Sequence, residues 1–133
     1  MIVAKMKVYR IDEMSFVNKT VPGQKLGLEN TFSYNVQYNK TNVCKGKMVV
    51  TVKDKEAPDT FSLSMTCGAL FEIDPSVDKE KVHVETFKML FAHAKASICA
   101  FTANSGISPI MIPEPDIESQ SIYRFDPGAI KPL

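Results

Sequence analysis

Three cysteines and two histidines are the side chains here that could ligate a metal or pair as nucleophile and base. Zinc sites need such groups at short, fixed spacings, and a nucleophilic thiolate needs a base within reach in an electropositive, part-open setting. Cys44, Cys67 and Cys99 are widely separated, and neither His83 nor His93 belongs to a C-x-x-C, H-x-x-x-H or H-E-x-x-H arrangement. Cys67 falls on the apolar face of a strand and Cys99 on the small-residue face of a helix, where both suit packing. The carboxylates Glu114, Asp116 and Glu118 are close in sequence, but a loop leading into a short helix capped by Asp116 accounts for them. No Gly-rich phosphate loop and no G-x-S-x-G elbow occurs. The expectation is therefore no catalytic residue, no metal and no cofactor: not an enzyme.

The elements that carry these residues begin with a long helix over about 80–104. At ~100° per residue, Phe87, Leu90, Phe91, Ala94, Ile98 and Phe101 form one wide stripe. Met89, Ala92, Ala96, Cys99, Ala100 and Ala103 fall roughly opposite. Lys88, Lys95 and Thr102 occupy one narrow seam, and His93 with Ser97 the other. A surface helix needs one apolar stripe and a broad polar back. Two apolar faces, one bulky and one small, predict a helix covered on both sides. The chain has material for one layer, so the second is expected from another copy of itself. A monomer whose tail covers the small face is the alternative.

Four strands are expected before the helix, within about 5–73. In the first, Tyr9 and Ile11 share a face while Met14 and Phe16 take the other register, which places a bulge near Asp12–Glu13. Thr20–Asn30, with Pro22, Gly23 and Gly27, reads as a connection. Phe32, Tyr34, Val36 and Tyr38 alternate with polar residues in a second strand, Lys47–Lys53 forms a third, and Phe61–Phe71 a fourth. Short connections at Thr41–Lys45 and Lys55–Asp59 predict an antiparallel meander. Gly106 suits the helix C-terminus, and prolines punctuate the tail from 107 to 133, leaving room for a short helix over Asp116–Tyr123.

With 133 residues, 44% hydrophobic and 23% charged, the chain is expected to be a single domain, 1–133. A net charge of +1 gives no footprint for nucleic acid or membrane. The lysines between Lys40 and Lys55 read as a solvated hairpin that protects sheet edges. Lys5 and Lys7 break the first apolar run, so no secretion signal is expected, and an odd number of dispersed cysteines suits a reducing compartment. The expected location is cytoplasmic.

Three segments carry a family resemblance: VYRIDEMSF (Val8–Phe16), FSLSMTCGALFEI (Phe61–Ile73) and FKMLFAHAKASICAFTANSGISPIMIPEPDI (Phe87–Ile117). In this order, before and along a long helix and a Pro-containing loop, they resemble the SecB family of export chaperones. The resemblance implies an α+β fold, with a four-stranded antiparallel sheet, one long helix and a short C-terminal helix or loop. It further implies a homotetramer, a dimer of dimers with the long helices between two sheets. The interface would hold Met89, Ala92, Ala96, Cys99, Ala100 and Ala103.

Such a protein would be an ATP-independent holdase for unfolded or preprotein segments, coupled to export or to a dedicated client. Clients would lie in an apolar groove between the sheet, the Thr20–Asn30 crossover and the tail, where Phe16, Leu26, Leu28, Phe32, Tyr34, Met111 and Ile112 are the candidates. Seven methionines suit a surface that repacks around varied partners. SecB docks on the export ATPase through acidic residues on its first and fourth strands. Glu13 matches one of them, whereas Val17 and Ser64 stand at the others, and the chain ends AIKPL without the family's acidic tail. A SecB-like protein with one dedicated client, such as an antitoxin or a phage-encoded partner, is the second reading. A small enzyme or ligand-binding domain using a cavity near Cys67, His83 or His93 is the third.

Overall fold

The structure, a computed structural model, describes residues 3–40 and 42–115. The short helix expected over Asp116–Tyr123 lies outside them. Four strands, β1 (Ala4–Asn18), β2 (Leu28–Lys40), β3 (Val43–Asp54) and β4 (Phe61–Ile73), precede one helix, α1 (Lys79–Asn104). All strand pairs are antiparallel, in the order β1-β4-β3-β2. The α+β architecture is thus the expected one, a four-stranded sheet followed by a long helix.

β2, β3 and β4 form the predicted meander, while β1 lies beside β4 at the far edge. The connection from β1 to β2 must therefore cross an end of the sheet. The pairing of β1 with β4 steps over Asp12, because Ile11 faces Cys67 and Glu13 faces Thr66. This is the expected bulge, and it brings Met14 and Phe16 onto the side of Tyr9. A second irregularity falls at Lys7.

Two boundaries move. β2 starts at Leu28 because Leu28–Thr31 pairs with Asp54–Thr51, a cross-strand ladder that overrides the polar Glu29-Asn30-Thr31 run. β3 starts at Val43, so the turn before it is tighter than Thr41–Lys45. A larger correction concerns the lysines. β3 is an interior strand, so Lys45, Lys47 and Lys53 guard no edge and project from the sheet's outer face.

α1 lies across all four strands. Its inner face buries Val82, Phe87, Leu90, Phe91, Ala94 and Ile98 against Met48, Val50 and Val52 of β3 and Phe61–Ile73 of β4. Burying each such large side chain contributes about 1.5–3 kcal/mol, so this single interface holds the fold. Phe101, expected in the same stripe, is half-buried and meets Phe16 edge-on at 5.0 Å. Thr102 departs from its expected polar seam and is fully buried. The other seam is as expected: His93 stacks on Tyr9 at 4.7 Å, and the Ser97 and Tyr9 hydroxyls lie 3.3 Å apart. Gly106, at φ +92°, ends the helix in a left-handed conformation that favours glycine.

Candidate functional site

Where the β1–β2 crossover faces the segment after α1, the chain leaves an open cleft of about 780 Å³. One wall runs from Asn18 to Asn30 and the other from Gly106 to Met111. No Asp, Glu, Lys or Arg is among the described lining residues. Val21 and Met111 stand 64% and 67% exposed at its rim, the two most open of the large apolar side chains among the described residues.

Each wall is built from local chemistry. In the crossover, Pro22 and Gly23 take the central places of a turn closed by the Gln24 N–H donating to the Val21 carbonyl at 3.1 Å. Gly23 has φ +82°, which such a turn demands. The Gln24 Oε1 accepts the Val21 N–H at 3.0 Å, and Asn18 Oδ1 accepts the Thr20 hydroxyl at 2.6 Å. The crossover is then tied to the sheet by Asp54, whose Oδ1 accepts the Gly27 N–H at 2.9 Å and whose Oδ2 accepts the Ala57 N–H at 3.0 Å. The Lys55 N–H returns a bond to the Gly27 carbonyl at 2.9 Å.

The opposite wall hangs on Thr102. Its hydroxyl donates to the Ile98 carbonyl at 2.8 Å and accepts the Ile110 N–H at 2.8 Å. Ile112, 1% exposed, anchors the segment in the core. Both walls therefore rest on one buried polar side chain reaching from a rigid element.

Of the groove candidates, Leu26, Leu28 and Met111 line the cleft. Phe16 and Phe32 pack against the core, and Tyr34 and Ile112 lie within it, beneath the helix rather than in the opening. Val21, Ile107 and Ile110 line the cleft without having been singled out. Asp54 and Thr102 were also missed, although a signal existed for each. Asp54 continues the inward phase of Met48, Val50 and Val52, and Thr102 follows Ala94 and Ile98 at helical spacing. A polar residue in an apolar series is the mark of a buried anchor.

Tyr34 occupies a polar pocket under the start of α1. Its hydroxyl donates to Thr86 Oγ1 at 2.6 Å, and its ring meets His83 edge-on at 5.1 Å. Burial raises the Tyr34 phenol far above its ordinary range and pushes His83 down to about 4. His83 is 2% exposed and neither ring nitrogen has a hydrogen-bond partner among the described residues. Burial also pushes the Cys44 and Cys67 thiols up to about 11, which keeps them as inert thiols. Among the described residues no group of three His, Cys, Asp or Glu is placed to hold a metal. No helix of the described residues is long and apolar enough to cross a membrane.

On the outward side of α1, Ala92, Ala96, Ala100 and Ala103 are exposed, and Met89 and Cys99 are half-buried at their margin. They form the small-residue face expected from the periodicity. Glu13 is exposed on β1, opposite Thr66, with neutral Ser64 two pairs further along the ladder, opposite Ser15.

No family model matches the chain. It is 25% identical over 118 residues to an uncharacterised protein of Methanocaldococcus jannaschii, covering 82% of this chain and 76% of that protein. Among solved structures it is similar to the SecB-like chaperone Rv1957 of Mycobacterium tuberculosis, determined in complex with a ChAD peptide from the HigA1 antitoxin. The TM-score is 0.67 at 14% sequence identity, over 85% of this chain and 91% of the chaperone chain. The four-stranded sheet and long helix described above are thus the fold of a SecB-like chaperone.

Proposed function

We propose that this protein is an ATP-independent holdase that captures extended, apolar segments of unfolded or preprotein chains in the cleft between the crossover and the post-helix wall. The observation that carries this reading is a lining that, among the described residues, holds no charged side chain and places Leu26, Leu28, Ile107, Ile110 and Met111 around an open channel. Apolar side chains interspersed with the uncharged polar groups of Asn18, Thr20, Gln24, Asn30 and Ser108 complement an extended segment, whose side chains need apolar contacts and whose backbone needs hydrogen-bond partners, and unbranched Met111 adapts to different side chains. A volume of about 780 Å³ lies within the ~300–1,000 Å³ typical of ligand clefts. The likeness to a chaperone solved with a bound peptide supports the same use of the fold.

Assembly completes the reading. The alanine face of α1 lets helices approach closely, and pairing of Met89, Ala92, Ala96, Cys99, Ala100 and Ala103 between copies builds a dimer of dimers in the cytoplasm. Four linked clefts raise avidity for one long client by 10²-fold or more over a single weak contact. A dedicated client is the second reading, favoured by the antitoxin peptide on the structural neighbour. Export stands apart from both. Of the acidic surface that would engage the export ATPase, Glu13 is present and its neighbours Val17 and Ser64 are neutral.

The test is suppression of aggregation of several unrelated denatured proteins by the native chain and by its Leu26→Asp and Met111→Asp variants. Broad suppression that both variants lose establishes the holdase. Protection of one partner alone establishes the dedicated reading, and no protection of any client ends both.

A further inference from the structure

We infer that the outer face of the sheet is a second docking surface, and that it takes an extended acidic protein segment bearing an apolar side chain. Lys45 and Lys47 are exposed on the face opposite α1, in the middle of an interior strand. Their cross-strand neighbours there are Gln37 and Leu70 for Lys45, and Asn35 and Gly68 for Lys47. None is acidic. Of the acids in the adjoining rows, Glu72 pairs with Lys7 at 3.5 Å and Asp12 with Arg10, while the exposed Glu13, opposite Thr66, is separated from Lys47 by the width of β4. Two ammonium groups on successive rows thus stand without an ion-pair partner among the described residues.

Beside them, Val8 and Leu70 face each other across β1 and β4 and remain 47% and 37% exposed. Between them lies a depression of about 130 Å³ that includes Gly68 and Ala69 and carries Lys45 and the Arg10–Asp12 ion pair at its rim. It is open because residue 68 has no side chain. A Cβ there would lie 3.1 Å from the Gly46 carbonyl oxygen.

Single exposed apolar residues are ordinary on any surface. A registered apolar pair set directly against uncompensated positive charge is a more specific arrangement. Its complement is one aliphatic side chain seated between Val8 and Leu70, with carboxylates on either side reaching the lysines. Nucleic acid fits less well, since two free cations and no aromatic platform supply neither the phosphate contacts nor the stacking that it requires. The surface is on the other side of the sheet from α1, so it fills independently of the cleft.

The probe is a fluorescent peptide with a single Leu among glutamates, followed by anisotropy in low salt. The native chain is expected to bind it, and the Lys45→Glu/Lys47→Glu double variant to weaken it on the order of tenfold or more. The same variant should gain affinity for the peptide with lysines in place of glutamates. Leu70→Asn should weaken binding with the lysines intact, and Leu26→Asp should leave it unchanged. Equal binding of a Leu-free glutamate peptide or of a single-stranded oligonucleotide would reduce the surface to a generic cation patch and overturn the proposal. So would binding that ignores the charge reversal, or no binding at all.

Discussion

The Asp54 carboxylate at the end of β3 accepts the Gly27 N–H across 27 positions of sequence, at 2.9 Å, and its second oxygen takes Ala57. This residue is 8% exposed and ties the far end of the crossover to the sheet, as the Asn18 side chain ties its beginning at Thr20. Asp54→Ala leaves two backbone donors without their acceptor and should cost about 1–3 kcal/mol in chemical denaturation. It should also cost client capture more than stability, because Leu26 and Leu28 then lose their fixed place in the wall. Asp54→Asn should fall between, since one amide oxygen can serve only one of the two donors.

The opposite wall gives a matching experiment. Thr102→Val keeps the volume beneath the helix end while removing the acceptor for the Ile110 N–H. Hydrogen exchange should accelerate at the Ile110 amide, stability should fall by about 1 kcal/mol, and Thr102→Ser should restore both. Unchanged exchange at Ile110 would show that Ile112 alone holds the wall.

The sheet, the bulge at Asp12 and both faces of α1 were legible in the sequence because burial imposes a period, and period survives in a single chain. Tyr9, Met14 and Phe16 face the helix only if one residue is skipped, and the change of phase shows where. The cleft was legible in its walls but not in its lining. Phe32 and Tyr34 have the alternation of groove residues and of core residues alike, and only the path of the helix separates the two. Lys45 and Lys47 were placed at an edge because strand order is a long-range property. Nothing local in KGKMVVTVK distinguishes an interior strand from an outer one.

Gly46 reports on the fit between β3 and Tyr34. A Cβ at that position would lie 2.6 Å from the Tyr34 hydroxyl and 3.2 Å from a Phe71 ring carbon. Gly46→Ala is therefore expected to destabilise by roughly 1–3 kcal/mol through overpacking. Tyr34→Phe removes the closest atom along with the bond to Thr86. The double variant Gly46→Ala/Tyr34→Phe should lose less than the two single changes together, with thermal unfolding as the measurement.

The outward face of α1 predicts a change of mass. Ala96→Glu places a charge in the centre of the proposed interface, on a helix position that is exposed in the single chain. Light scattering should give the native protein a molar mass near four times the 14.8 kDa chain and the variant a smaller one. Far-ultraviolet dichroism should match between them, since the fold of each subunit does not depend on that side chain. A native monomer at micromolar concentration would remove the avidity from the proposed mechanism while leaving the cleft intact.

His83 makes stability depend on acid. Burial holds its folded-state value near 4 against an ordinary 6.5, so the imidazole is neutral in the fold where an unfolded chain would already be charged. The unfolded state thus binds more protons between these two values, and the contribution of His83 to stability, complete above pH 6.5, is lost as pH falls toward 4. The full loss is about 3 kcal/mol at one pKa unit per 1.36 kcal/mol. His83→Leu should remove that slope, leaving the protein more stable than the native chain at pH 4.5 and little changed at pH 8. Urea unfolding at both values measures it, and a slope that persists in the variant would place the acid sensitivity on other residues.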